Sequence, residues 1–348
     1  MNIKRSAAGI TSLCGALFAL AACQTTAPSV PLTLSAAPCT PPPVDRCVRG
    51  EDCGALVVEQ GPAMNPETER NYYLDYSCDL REGDPVTIVL NLHGGGSYGN
   101  WQRHYFPILD HIDDYNLIVA TPNSPIQFWR ETDDAHLEGI VTNLIDEIGA
   151  ENINSFWMAG HSQGGMTSRR LICTDFYADK VDGFLSLSGG RVSRSQLSPN
   201  FYRPGPDDTG PRPPREPRVL PPEEFPICEF SHINTNGELE IVELPDTSEW
   251  ADRLGCDARI REDDVIDTEP GYVYDGSAQR VPNPVWGLLP RGGTSEVFVY
   301  PNCDGGRIVA DVIRLDKGHT EGLEPEVTRT IVELMMSAEG GKIASSAQ

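Results

Sequence analysis

Residues 159–165 read Ala-Gly-His-Ser-Gln-Gly-Gly, and they hold a G-x-S-x-G pattern around Ser162. The residues before the pattern, SFWMA at 155–159, form a short apolar run that suits a buried strand. The residues after it, Met166 to Leu171, suit the start of a helix. A strand, a sharp turn and a helix in that order can hold a serine in a strained conformation with its Oγ exposed. The flanking glycines leave room for a tight backbone, and Gly165 lets the helix pack close to the strand.

A second segment gives the first its meaning. Val86 to Leu92 (VTIVLNL) reads as another buried strand and runs straight into His93-Gly94-Gly95-Gly96. An HGGG segment after such a strand supplies one backbone N–H to a developing oxyanion. Gly95 is the candidate donor, and the residue after the nucleophile, Gln163, supplies the other. The two motifs together point to an α/β-hydrolase fold, with a mostly parallel central sheet flanked by helices.

In that fold the triad runs Ser, acid, His along the chain. Of the seven histidines, only His232 and His319 follow Ser162. His319 lies in the polar loop Asp-Lys-Gly-His-Thr-Glu-Gly, after the strand-like run Arg307–Leu315, and is the candidate base. The acid belongs on the loop after the preceding strand. Residues 226–230 (PICEF) read as that strand, and SHINTNGELE (231–240) as its loop. This loop carries Asn234, Asn236, Glu238 and Glu240 but no Asp. Glu238 is the first choice. Asn236 is the second, since a neutral amide can orient an imidazole. Asp304 is the third, although Asp304-Gly305-Gly306 more simply makes a hairpin turn.

Over roughly residues 72–337 the chain resembles the secreted esterases that include feruloyl and acetylxylan esterases and polyhydroxybutyrate depolymerases. The resemblance rests on LNLHGGG, LIVATPNSP, INSFWMAGHSQGGM, WADRLGC, YPNCDGG and the closing GHTEG. The chain departs from the group where members carry an Asp after an HG-T segment, since HINTN stands there. It departs again after the last histidine, where Thr-Glu-Gly replaces Trp-Pro-Gly. The resemblance implies an ester substrate, from a plant polysaccharide or a polyester, with no cofactor. It also implies a disulfide between Cys256 and Cys303.

The first residues speak to compartment. Lys4 and Arg5 precede an apolar stretch from Ala7 to Ala22, 16 residues long, where a membrane span needs about 20. It reads as a signal peptide over 1–22. Leu20-Ala21-Ala22-Cys23 resembles a bacterial lipobox, which implies cleavage before Cys23 and a lipid on its sulfur. Gln24 resembles outer-membrane sorting, so an exported cell-envelope lipoprotein is expected. Of ten cysteines, setting aside Cys14 and Cys23 leaves eight, an even set that suggests disulfides in an exported protein. No C-x-x-C or H-E-x-x-H spacing is present, so no metal is expected. Net charge is −24 from 27 basic and 51 acidic residues, a surface that repels nucleic acid.

Residues 23–69 read as a Pro/Ala/Ser/Thr-rich tether with a cysteine-containing end, where Cys39, Cys47 and Cys53 staple it to the body. The catalytic domain is expected over 70–338. His136–Gly149 has apolar positions at helical spacing, and Pro325–Ser337 closes the fold as a helix. A proline-dense insertion over 200–226 lacks periodicity and suits a lid or a surface loop, and 339–348 reads as a loose tail. The leading reading is a serine carboxylesterase. A polyester depolymerase and a peptidase are its rivals as enzymes, and a non-catalytic ligand-binding lipoprotein is the rival of another class.

Overall fold

The computed structural model describes residues 30–40, 61–192, 225–240, 244–272 and 291–347. The signal-peptide reading over 1–22, the lipidation reading at Cys23, Cys47, Cys53 and most of the 200–226 insertion lie outside the described residues.

The strands are β1 (Ala63–Asn65), β2 (Arg70–Tyr76), β3 (Val86–Leu92), β4 (Leu117–Pro122), β5 (Ile153–His161), β6 (Gly183–Leu187), β7 (Ser231–Gly237), β8 (Ile260–Arg261), β9 (Val265–Asp267), β10 (Gly293–Tyr300) and β11 (Val309–Arg314). They form one sheet in the order β1-β2-β4-β3-β5-β6-β7-β11-β10-β8, with β9 also on β10. The six central strands, β4 to β11 in that order, run parallel. Antiparallel strands cover both edges, β2 and β1 on one side and β10 with β8 and β9 on the other.

The helices are α1 (Gly99–Tyr105), α2 (Ile112–Tyr115), α3 (Asp134–Ile148), α4 (Gln163–Leu171), α5 (Glu249–Arg253), α6 (Pro325–Ser337) and α7 (Lys342–Ser346). They cover both faces of the sheet, which is why the central strands are apolar on both sides. Along β3, Ile88, Leu90 and Leu92 pack with α3 residues such as Leu137 and Ile140. Val89 between them packs on the other face with Trp101, Tyr105, Val327 and Ile331. The same alternation splits Phe156 and Met158 from Trp157 and Ala159 on β5. Each such Val, Leu, Ile, Phe or Met side chain, fully buried, contributes about 1.5–3 kcal/mol. This is the α/β-hydrolase fold: parallel core strands, helices on both faces, and a strand–turn–helix around Ser162.

Four expectations about elements change. The PICEF segment is not a strand. The strand is SHINTNG, five residues later. Its first two polar side chains, Ser231 and His232, are buried with hydrogen-bond partners from other segments. Ser231 Oγ accepts from Ile308 N–H at 3.1 Å. His232 stacks on Phe184 with ring centroids 5.1 Å apart, and its Nε2 accepts from Val192 N–H at 3.0 Å. Among the described residues the first strand, β1, starts at Ala63, before residue 70. Within the tether, residues 30–40 lie against the body with Leu34 buried, while the expected staple at Cys39 is a disulfide to Cys78. At the other end, 342–346 is helical. Ile343 is buried, and Lys342 Nζ donates to the carbonyls of Val181 and Glu229.

Two further disulfides join Cys173 to Cys228 and Cys256 to Cys303. The three close segments separated by 39, 55 and 47 residues. In the chain-entropy picture each is worth about 4 kcal/mol.

Candidate active site

The turn between β5 and α4 places Ser162 at φ +51° and ψ −115°, a backbone conformation that non-glycine residues seldom adopt. Close packing maintains it. Ser162 N–H donates to Leu187 O on β6 at 2.8 Å. A Cβ on Gly160 would stand 2.3 Å from the Gly164 carbonyl carbon, and one on Gly164 would stand 2.2 Å from Leu92 O. Those two positions of the motif therefore admit only glycine, and the serine side chain is left facing out of the turn.

His319 lies on the loop after β11, at the same end of the sheet. Its Nε2 is 2.9 Å from Ser162 Oγ. Its Nδ1 is hydrogen-bonded to Glu240 Oε2. The loop is gripped by a buried charge cluster. Arg314 donates to Glu321 O and Gly322 O, each at 2.6 Å, and pairs with Glu324 at 2.9 Å. Lys317 Nζ reaches the other oxygen of Glu324 at 2.5 Å. Glu321 Oε2 accepts from Gly318 N–H at 2.6 Å, next to the histidine. Two cations around one carboxylate offset its burial and hold Glu324 ionised, its carboxyl held below the usual range despite desolvation.

The carboxylate that meets His319 corrects the first-choice acid. Glu238 and Glu240 share a single 3₁₀ turn that directly follows β7. Glu238 points to solvent and accepts from Asp316 N–H at 2.9 Å. Glu240 points inward and is buried. Because β7 ends at Gly237 rather than Phe230, the turn begins seven residues later than the PICEF reading places it. Asn236 is still part of β7, half-buried, in register with Ile313. Asp304 lies before β11 begins, at the opposite end of that strand from His319.

Ser188, which the sequence reading did not single out, completes the acid's surroundings. It sits just past β6 at φ +51°, and its hydroxyl donates to Glu240 Oε1 at 2.8 Å. Gly237 N–H donates to the same oxygen at 2.8 Å. The signal in the sequence was faint: a serine after the strand FLSL, with no motif around it.

The glycine loop lies against the elbow. Gln163 opens α4, so its N–H is among the helix N-terminal donors with no intrahelical acceptor. The Gln163 side chain lies over Gly95, with Oε1 3.2 Å from where a Gly95 Cβ would stand. That side chain also clasps the next loop. Oε1 accepts from Trp129 N–H at 3.1 Å, and Nε2 donates to Trp129 O at 3.3 Å. His93 anchors the same loop, its Nε2 accepting from Ser124 N–H at 3.0 Å, while Trp129 Nε1 donates to His93 O at 2.8 Å. Burial pushes the His93 imidazole down to about 4, so it stays neutral at physiological pH.

Of the aromatic residues near these motifs, Trp101, Tyr105 and Trp129 are core and Tyr98 is half-buried. Phe128 is 44% exposed, its ring against the glycine loop. Among the described residues, no cluster of three or more His, Cys, Asp or Glu side chains could hold a metal ion. No helix of the described residues is long and apolar enough to cross a membrane.

No family model matches the chain, and no curated protein matches it at a significant level. Among solved structures, it is similar to an acetyl xylan esterase from Aspergillus awamori at 14% identity, over 77% of this chain and 94% of that one, with a TM-score of 0.42. A fluorophosphonate-binding serine hydrolase of Staphylococcus aureus, FphF, aligns at 22% identity over 30% of this chain and 43% of its own, with a TM-score of 0.24. A variant of PytH aligns at 21% identity over 35% and 47%, with a TM-score of 0.23. The fold assignment rests on the strand order and the elbow rather than on these likenesses.

Proposed function

We propose that the chain is an exported serine carboxylesterase, with Ser162 as nucleophile, His319 as general base and Glu240 as the acid that orients it. The observation that carries this reading is the continuous hydrogen-bonded series from Ser162 Oγ through His319 to Glu240. Ser162 Oγ attacks an ester carbonyl carbon while His319 Nε2 takes the hydroxyl proton. Glu240 holds the proton on Nδ1 and stabilises the imidazolium. The carbonyl oxygen becomes an oxyanion held by the N–H groups of Gly95 and Gln163, donors of a type worth about 3–4 kcal/mol each. Collapse expels the alcohol, protonated by His319. Water, deprotonated by the same histidine, then cleaves the acyl-serine and frees the carboxylic acid. The substrate class we favour is the feruloyl or acetyl ester of a plant polysaccharide. Export and lipid anchoring at Cys23 rest on Leu20-Ala21-Ala22-Cys23.

Hydrolysis of short-acyl nitrophenyl esters by the purified protein tests the chemistry. Ser162→Ala is expected to reduce the rate by about a millionfold, as in triad knockouts. Near wild-type activity in that variant would remove the serine from the mechanism. Export is tested by labelling with a lipid precursor, which Cys23→Ser should abolish.

A further inference from the structure

The imidazole of His161 joins three segments of the proposed active site: the elbow, the glycine loop and the His319 loop. It is 3% exposed and sits one residue before the nucleophile. Its Nε2 is 2.8 Å from the main-chain oxygen of His319. Its Nδ1 faces the glycine loop, 2.5 Å from where a Gly94 Cβ would stand, so the ring occupies space that only a glycine leaves. The rings of Tyr105, His319 and Trp101 surround it, with centroids at 4.1, 4.8 and 4.9 Å.

These contacts fix the tautomer. A carbonyl oxygen only accepts, so Nε2 must carry the hydrogen. Nδ1 is buried without a hydrogen-bond partner among the described residues. A second proton there would face the Gly94 backbone with nothing to receive it. Burial, and the neighbouring His319, push the His161 imidazole well below its ordinary value. The ring therefore stays neutral while His319 cycles through its charged form, and adds no like charge beside it.

We propose that His161 is a positioning residue for the base: its Nε2–H ties the His319 main chain to the elbow and so sets the spacing between Ser162 Oγ and His319 Nε2. The chain logic is direct. His161 and Ser162 are adjacent, so a hydrogen bond from 161 to the backbone of 319 cross-links base and nucleophile within one residue of each. The Arg314 cluster grips the His319 loop from outside, and His161 grips it from within. The aromatic cage keeps the imidazole from rotating out of line. Small displacements matter here, because a shift of about 1 Å in a reacting pair can cost about a hundredfold in rate.

The proposal rests on the serine-hydrolase reading. Two substitutions separate a positioning role from a packing role. The longer amide of His161→Gln places its Nε2 near the imidazole Nε2 and can reach His319 O. The shorter amide of His161→Asn cannot. With folded enzyme quantified by circular dichroism and thermal melting, His161→Asn is expected to lose about tenfold or more in kcat with KM within about twofold, and His161→Gln to recover most of that loss. Equal kcat in both variants, whether high or low, overturns the proposal.

A measurement on the wild-type protein stands apart from folding and turnover. Histidine-selective ¹⁵N NMR should show His161 as the neutral Nε2–H tautomer at neutral pH. An Nδ1–H tautomer or an imidazolium there overturns the proposal even if Ser162→Ala is inactive. Conversely, full activity in Ser162→Ala defeats the serine reading while leaving the tautomer result intact.

Discussion

Ser188 Oγ donates to Glu240 Oε1 at 2.8 Å, which leaves Oε2 free to meet His319 Nδ1. The two carboxylate oxygens thus have separate tasks. One is tied to the body of the protein through Ser188 and Gly237 N–H, and the other orients the imidazole. A carboxylate held on one side cannot swing toward solvent between turnovers. The strained backbone of Ser188 lies one strand over from that of Ser162, so both φ-positive serines serve the same hydrogen-bonded series.

This division of labour ranks three substitutions. Glu240→Gln should lower kcat by about 10⁴, the cost seen when a triad acid becomes an amide with geometry kept. Glu238→Gln, at an exposed position, should leave kcat within about twofold. Ser188→Ala removes a hydrogen bond to a charged group, of the kind worth about 1.5–3 kcal/mol, and should fall between them. Steady-state kinetics on the three purified variants decides the matter. A larger loss in Glu238→Gln than in Glu240→Gln would return the acid to Glu238.

Buried neutral histidines give the protein an acid limit. Burial pushes His93 down to about 4, His136 and His232 to about 3, and His161 well below its ordinary value. Their folded values lie below the unfolded value of 6.5, so between about pH 6.5 and pH 4 the unfolded chain binds protons that the folded one refuses. Stability is therefore complete above pH 6.5 and is lost as pH falls. At pH 5 His93, His136 and His232 each cost about 2 kcal/mol, and His161 acts in the same direction. Asp267 and Asp311, raised to about 6 by burial, and Asp182, also raised by burial, act in the opposite direction. The histidine shifts are the larger, so the four histidines outweigh the raised carboxyls. The urea midpoint should drop clearly between pH 7 and pH 5, and an unchanged midpoint would show that these rings are not held neutral.

The parts of the site that were legible in the sequence are those where one residue type is forced by space or period. Gly160, Ser162 and Gly164 are such positions, as are the strand at 86–92 and the helix at 325–337, whose bounds match the structure, and the strand read at 155–159, which extends over 153–161. Strand β7 was hidden because Ser231, His232, Asn234 and Thr235 are polar yet buried. The partners of Ser231 and His232 are Ile308 N–H, Phe184 O and Val192 N–H, remote in sequence, so no local pattern announces a strand. The error carried directly into the acid, since a strand end misplaced by seven residues moves the turn after it. Glu238 and Glu240 are two residues apart, and only the 3₁₀ turn decides which carboxylate faces His319. The 342–346 helix was hidden for a similar reason. A five-residue helix has no visible period, and it is held by Lys342 donating to carbonyls of other segments.

The last prediction concerns what the site selects. Of the aromatic side chains near the glycine loop and the next strand, Trp101, Tyr105 and Trp129 are core and Tyr98 is half-buried. Phe128 remains 44% exposed. Its Cε1 lies 3.0 Å from where a Cβ on Gly95 would stand, beside the proposed oxyanion donor. The loop that carries it is fixed by the Gln163–Trp129 hydrogen bonds and by His93, so the ring is presented by a rigid edge. A flat aryl group on an ester held at Gly95 and Gln163 can stack on that ring, worth about 0.5–1.5 kcal/mol beyond burial. Phe128→Ala should therefore lower kcat/KM for methyl ferulate by about twofold to tenfold. Its effect on an acetylated xylan, whose acyl group has no ring, should be smaller. The wild-type enzyme should prefer methyl ferulate to a 3-hydroxybutyrate oligomer at equal concentration. A clear preference for the oligomer, together with no selective loss in Phe128→Ala, would reject the aryl reading and favour an aliphatic polyester in this site.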